Sequence, residues 1–142
     1  MKSKYKAVIK VRKQQLDRAE GQLGAAQQRQ RESEAAYGLS VRALQDLGDL
    51  PRSGSVADLR SNLQMKRVGA EALARAREKV ELSKKEVSHY QFLYKKAYLD
   101  YEKMKFLESE ELKAWQKERQ KSENKFLDEL ATIRAFKGED DA

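Results

Sequence analysis

A single stretch of helix-breaking residues, GDLPRSGSVADL at positions 48–59, divides this sequence into two long segments. It contains the only proline, Pro51, and two of the seven glycines, Gly48 and Gly54. Because proline lacks a backbone N–H and glycine adopts backbone angles closed to other residues, such a cluster ends a helix and turns the chain. The sequence therefore predicts two long helices joined by one corner.

The first segment carries the seven-residue repeat of a coiled coil. One position of the repeat holds mostly large residues, and the position three residues later holds mostly small ones. The first series is Ile9, Leu16, Leu23, Gln30, Tyr37 and Leu44, and the second is Arg12, Ala19, Ala26, Ser33, Ser40 and Leu47. With 37% charged residues and a mean hydropathy of −0.90, the chain could also be disordered. Disorder does not sustain such a repeat over about five heptads, so the pattern predicts a helix over about residues 3–47.

The second segment carries a longer seam with the same alternating spacing. It consists of Leu73, Ala76, Val80, Ser83, Val87, Tyr90, Tyr94, Ala97, Tyr101 and Met104. We expect Glu108 to break this seam. A stripe one residue out of phase follows at Leu112, Trp115, Arg119, Ser122, Phe126, Leu130 and Ile133. The pattern predicts a helix over about residues 57–137, opened by Leu59 and Leu63 and capped by Ser55 or Asp58.

Two seams joined by a short hinge, residues 48–56, predict an all-α fold: a long antiparallel two-helix coiled-coil hairpin with unequal arms. We expect one domain over residues 1–142, ending in a flexible acidic tail at 138–142. If the arms face each other from the hinge onward, Leu16 lies opposite Tyr90, and pairing ends near Tyr101. The apolar residues of the remainder of helix two then need to be covered by another protein, by a second copy of the chain or by a fold-back of the segment itself.

The net charge of +7 is concentrated at the start of the chain. Residues 1–13 include six basic residues and no acid, whereas basic and acidic residues nearly balance over the rest. Such a start could bind nucleic acid, an anionic membrane or an acidic protein surface, or it could be a solvated helix end. The near balance elsewhere provides no continuous basic stripe and so argues against nucleic acid.

No arrangement of residues predicts catalysis, a cofactor or a metal. The chain has no cysteine, and its one histidine, His89, has no second histidine to work with. The carboxylates at 108–111 are interpreted as solvated helix faces. Tyrosines at 90, 94, 98 and 101 among lysines could stack on bases, but three of them follow the seam and are better explained by core packing. We therefore expect no enzyme activity, and the absence of a long apolar run favours a cytosolic location.

The opening YKAVIKVRKQQLDRAEGQLGAAQQ, the hinge near one third of the length and the ending WQKERQKSENKFLDELATIRAFK resemble the FliJ family of the bacterial flagellar type III export apparatus. The resemblance covers nearly all of the chain. Injectisome relatives share this architecture, so the sequence leaves flagellum or injectisome open.

The resemblance implies an accessory stalk, located in the cytoplasm and peripheral at the cytoplasmic face of the inner membrane. Its implied partners are the hexameric export ATPase, whose assembly and activity it promotes, the cytosolic domain of the export gate protein, and export chaperones, but not nucleic acid. The implied ATPase-facing residues are Lys4, Lys10, Arg12, Lys13, Trp115, Lys125, Phe126 and Arg134. The implied gate-facing residues are Tyr37, Val41, Leu44, Leu59 and Leu63. Several of the gate-facing residues also lie on the seam, so the flanks beside them are the better candidates if they are buried.

Overall fold

The structure, a computed structural model, describes residues 3–48 and 54–140, with side chains to residue 138. Its elements are α1, Lys6–Asp46, and α2, Val56–Asp140. The described residues contain no strand, and the two helices pack against each other. The predicted all-α helical hairpin with unequal arms is therefore confirmed, the arms having 41 and 85 residues.

Each helix starts at a side chain that binds free backbone N–H groups. Ser3 Oγ accepts a hydrogen bond from the Tyr5 N–H at 3.1 Å before α1. At the start of α2, Ser55 Oγ accepts from the Asp58 N–H at 3.1 Å, and the Asp58 carboxylate accepts from the Ser55 N–H at 3.3 Å. The two residues predicted as alternative caps thus act together, as in a capping box.

The helix ends depart slightly from the predicted ones. After α1, Gly48 has φ of 64°, a left-handed conformation that favours glycine, and its N–H donates to the Gln45 carbonyl. Helix α2 continues through Gly138 to Asp140, so the predicted end at 137 is early. Residues 141 and 142 of the predicted tail lie outside the described residues, and so does the corner at 49–53 with Pro51.

The chain divides into two compact units. The first unit contains Met1–Gln14 and Leu99–Ala142, and the second contains Gln15–Tyr98. Each unit therefore draws on both helices. That the whole chain is one domain stays a prediction.

The core of the second unit lies on the predicted seams. Its buried residues are Leu16, Ala19, Ala26, Val80, Ser83 and Val87. The other seam positions of this unit are half-buried. Two packed helices bury only one stripe of each helix, which explains why small residues dominate the buried set. The predicted seam is confirmed here.

The predicted register of the hairpin is wrong. With Leu16 opposite Tyr90, Arg29 would lie opposite Arg77, whereas Arg29 forms a hydrogen-bonded ion pair with Glu86. Arg77 likewise donates a hydrogen bond to the Tyr37 hydroxyl at 3.3 Å. The partner of each of these α1 residues is therefore displaced along α2 by about two and a half helical turns.

Gly69 explains this displacement. A Cβ atom on Gly69 would lie 3.1 Å from Leu44 Cδ1 and 3.6 Å from Leu47 Cδ1, so both leucines pack directly on the α2 backbone at this point. The end of α1 thus meets α2 at Gly69, and the first turns of α2 precede the paired part. For this reason Leu59 and Leu63, which lie near the start of α2 as predicted, are exposed.

The predicted phase shift after Met104 is also wrong. Glu108 and Glu111 are half-buried and continue the spacing of Tyr101 and Met104, whereas Leu112 is 43% exposed. The interpretation of residues 108–111 as solvated therefore fails for these two glutamates. In the first unit, the pairing of α1 with α2 extends as far as Glu111, beyond the predicted end near Tyr101.

Glycine substitutions test the register. Gly38 has no atom within 4 Å of an added Cβ. We therefore expect Gly38→Ala to raise the free energy of unfolding by about 1 kcal/mol through helix propensity. Gly69→Val should lower it by about 2 kcal/mol, because its side chain overlaps Leu44. Urea unfolding followed by circular dichroism measures both, and a Gly69→Val protein as stable as the parent would contradict the observed register.

Candidate partner-binding surfaces

In the first unit, a carboxylate of α2 lies at the basic start of α1. The Lys4 N–H donates to Glu111 Oε1 at 3.3 Å. The first turn of α1 contains no acidic residue of its own. Since the start of a helix carries a partial positive charge, Glu111 supplies the negative charge that α1 lacks. Glu111 Oε2 is buried and has no hydrogen-bond partner among the described residues.

Two other cations of the α1 start are held by α2. Arg12 forms an ion pair with Asp100 at 3.8 Å. The Lys13 ammonium lies 5.6 Å from the centre of the Tyr101 ring, and Lys105 lies 5.2 Å from the same ring. Lys10 is exposed, as is Lys4, whose ammonium lies 5.2 Å from the Tyr5 ring. Lys13 is exposed as well and only Arg12 is half-buried, so the four predicted basic contacts differ mainly in that α2 contacts Arg12 and Lys13.

Beyond Glu111, α2 continues as what we call the unpaired segment, residues 112–138. Within it only Leu130 is half-buried, and all other residues are exposed. Six of the exposed residues are large and apolar: Leu112, Trp115, Phe126, Leu127, Ile133 and Phe136. Local contacts support the helix, since Arg119 pairs with Glu123 at 3.3 Å and lies 5.4 Å from the Trp115 ring. No part of the described chain covers these apolar side chains.

All eight predicted ATPase-facing residues belong to the first unit. They do not form one compact patch, because Glu111, which contacts Lys4, and Arg134 are separated by about 35 Å along α2. The four α2 members, Trp115, Lys125, Phe126 and Arg134, lie on the unpaired segment. The sequence missed Leu127 and Phe136, which lie beside the predicted stripe.

The five predicted gate-facing residues belong to the second unit and divide into two groups. Tyr37, Val41 and Leu44 are half-buried, whereas Leu59 is 38% and Leu63 50% exposed. The Tyr37 ring lies 5.9 Å from the Arg77 guanidinium, and the hydrogen bond from Arg77 to the Tyr37 hydroxyl raises the Arg77 pKa above its ordinary value. Tyr37 and Leu44 thus serve the hairpin itself, while Leu59 and Leu63 are accessible.

A flank of the second unit carries an apolar groove that the sequence did not predict. The groove has a volume of about 350 Å³ and is lined by Ala43, Leu47, Gln64, Met65, Val68 and Gly69. Met65 and Val68 are at least half exposed. Gly69 lies four residues before Leu73 and so continues the seam of α2. Met65 and Val68 are out of phase with that seam, and this spacing is the sequence signal that could have indicated an exposed apolar flank. This flank lies beside the predicted residue Leu44.

Other features contribute no chemistry. Among the described residues, no group of acidic residues and histidine is arranged to hold a metal ion. His89 is exposed, and its ring meets the Tyr90 ring edge-on at 5.4 Å. No described helix has an apolar stretch long enough to cross a lipid bilayer.

The comparison with known proteins agrees with the architecture. A family model described as "Flagellar FliJ protein" matches residues 1–140. No curated protein and no solved structure matches the chain.

Replacing the carboxylate at the start of α1 tests its contribution. We expect Glu111→Gln to lower the free energy of unfolding by about 0.5 kcal/mol, because the charge opposite the helix start is lost. Hydrogen exchange of the Lys4 to Ile9 amides should accelerate. Glu110→Gln is the matched control, since Glu110 is exposed and pairs only with Lys113 on the same helix. Equal exchange in the two variants would contradict the role of Glu111.

Proposed function

Because this chain belongs to the FliJ family, we propose that it acts as an accessory stalk in which the first unit binds the hexameric export ATPase and the second unit binds the export gate. The family is one of flagellar type III export proteins and not a family of enzymes. We further propose that this chain has no catalytic activity and acts only through the contacts with its partners.

The unpaired segment is the observation that carries the proposal. A helix with six large apolar side chains in water is marginally stable by itself and tends to associate. Trp115 is 38% exposed and Phe126 61%, so both can insert into a partner without any change in the packing of α1. Aromatic residues of this kind commonly provide most of the binding energy of an interface.

The basic side chains of the first unit support the choice of an acidic protein surface. Lys10 is exposed on α1, and Lys125 and Arg134 are exposed on the unpaired segment. None of these three forms an ion pair with another described residue. They are available to steer association with a partner of opposite charge.

For the gate contact, the burial of the predicted residues in the second unit favours the flank over the seam. We propose that Met65 and Val68, in the groove beside Leu44, contact the cytosolic domain of the gate protein, together with Leu59 and Leu63. Tyr37, Val41 and Leu44 then act mainly by holding the two helices in register. Binding of export chaperones, and a position at the cytoplasmic face of the inner membrane reached through these protein partners, complete the proposal.

Self-association is the competing function, and the same exposed stripe favours it. Leu112, Trp115 and Phe126 of two copies could cover each other. A second copy would bring the basic residues of both chains together, which opposes this arrangement.

Titration of the protein into the cognate export ATPase tests the proposal. We expect the full-length chain to stimulate ATP hydrolysis, and a chain lacking residues 125–142 to lose most of the effect because Phe126, Ile133 and Phe136 are removed. Trp115→Ala with Phe126→Ala in the full-length chain should weaken stimulation at least about tenfold, as expected for two buried aromatic anchors.

Leu39→Ala is the control, since Leu39 is a large apolar residue that is 66% exposed, close to the 61% of Phe126, but belongs to the second unit. It should stimulate as the parent does. Sedimentation at several concentrations tests the competing function. If the parent protein forms a dimer that the Trp115 and Phe126 variant does not form, and the parent does not stimulate the ATPase, the stalk proposal is wrong and the chain is a self-associating coiled coil.

Charge substitutions in the second unit test the gate contact. We expect Val68→Asp to weaken binding of the gate protein's cytosolic domain at least about tenfold, because a carboxylate cannot be buried unpaired in an apolar groove. Gln91→Asp, an equal change of charge at an exposed polar site, should bind within about twofold of the parent. Calorimetry measures both, and equal binding by the two variants would exclude the groove.

A further inference from the structure

In the second unit, α2 carries a second row of residues on the side facing away from α1. We call it the outer row: Leu82, Lys85, His89, Phe92 and Lys96. Each member follows a seam residue by two positions, which turns it about 200° around the helix. Its spacing alternates between three and four residues, as in a heptad seam.

The outer row is open to a partner. Leu82 is 58% and Phe92 65% exposed, and the other three members are exposed as well. The seam residues on the opposite side, Val80 and Val87, are buried. Helix α1 occupies that side, so no described part of the second unit covers the outer row. In the sequence the same spacing recurs at Leu99, Lys103 and Phe106, which belong to the first unit and are not part of this surface.

The charge of the outer row is uniformly basic. Lys85, Lys95 and Lys96 form no ion pair with any described residue. Two of the nearby acids are engaged within the protein, since Glu81 pairs with Lys84 at 3.6 Å and Glu86 pairs with Arg29; Glu78 lies one turn before Leu82, at the start of the row. The row therefore presents apolar side chains between cations that have no counterpart within the protein.

We propose that the outer row binds an acidic amphipathic α-helix of a partner protein, which packs along α2 as a third helix. Leu82 and Phe92 provide the apolar contacts, and Lys85 and Lys96 pair with carboxylates of the partner. This surface is separate from the residues proposed for the ATPase and for the gate.

The shape and charge of the row favour a helix over other occupants. A single file of residues with lysines between the apolar ones corresponds to the narrow seam of a coiled coil, whereas a helix lying on a membrane has a wider apolar face. A second copy of the chain would bring the lysines of two rows close together, which is unfavourable. An acidic amphipathic helix would bury the apolar side chains of the row and pair its carboxylates with the lysines.

Binding of designed peptides to the full-length protein tests this proposal. The probe is a fluorescent helical peptide of about three heptads with leucine at the a and d positions and glutamate at the e and g positions. We expect saturable binding by fluorescence anisotropy that weakens as salt is added. The same peptide with lysine in place of glutamate should not bind. Failure of the acidic peptide to bind at low salt would overturn the proposal.

Substitutions locate the binding site. Phe92→Asp and Leu82→Asp should each weaken peptide binding at least about tenfold, by loss of an apolar contact and repulsion of the glutamates. Gln91→Asp, the matched change on the same helix away from the row, should leave binding within about twofold of the parent. Binding lost with Val68→Asp instead of Phe92→Asp would place the peptide in the groove and overturn the proposal.

Two further measurements exclude the other occupants. The protein should not bind vesicles of phosphatidylglycerol through the row, and it should sediment identically with and without Phe92→Asp. Vesicle binding that Phe92→Asp abolishes would identify a membrane surface, and a dimer abolished by this substitution would identify a second copy. Either result would overturn the proposal that the outer row binds a partner helix. The Phe92→Asp variant should stimulate the ATPase as the parent does. The proposal of a partner helix and the proposal of a stalk can therefore be refuted independently.

Discussion

The packing of α1 against α2 along one stripe of each helix is the interaction on which the structure depends. Without this packing both segments would be charged helices with little to stabilise them in water. The stripe is narrow, and its buried members are small or of medium size, from Ala26 and Ser83 to Leu16. A core of this kind leaves most of the surface in solvent, so function has to be carried by exposed faces and not by an enclosed pocket.

Charge governs the first unit as much as apolar packing does. The start of α1 combines several cations with the positive end of the helix, a repulsive arrangement that α2 relieves with Asp100 and Glu111. Glutamates thus continue the seam where apolar residues would be expected. With Asp100 and Glu111 at the start of α1, Lys10 remains exposed on α1 and the apolar residues beyond Glu111 remain uncovered. A protein partner could contact both the cation and the apolar residues.

The exposed apolar residues lie where the apolar pattern of the sequence leaves the seam. Near Gly69 the pattern moves to the flanks, which exposes Met65 and Val68. Beyond Glu111 it continues past the start of α1. Along the outer row it repeats on the side opposite α1. In a protein whose core is one stripe, apolar residues that are out of phase with that stripe are free to serve binding.

The sequence by itself determined the two helices, their approximate ends, their caps and the residues of the seam from Leu16 to Val87, because helical periodicity and capping act between residues close in the chain. It also determined the concentration of cations at the start. Only the tertiary structure decided the register, because a regular heptad repeat fits several alignments of two helices equally well. The contact of Leu44 and Leu47 with Gly69, and the pairing of Arg29 with Glu86, select one of them. That register in turn buries Glu111, exposes Leu59 and Leu63 and forms the groove at Val68, none of which can be read from spacing along one helix alone.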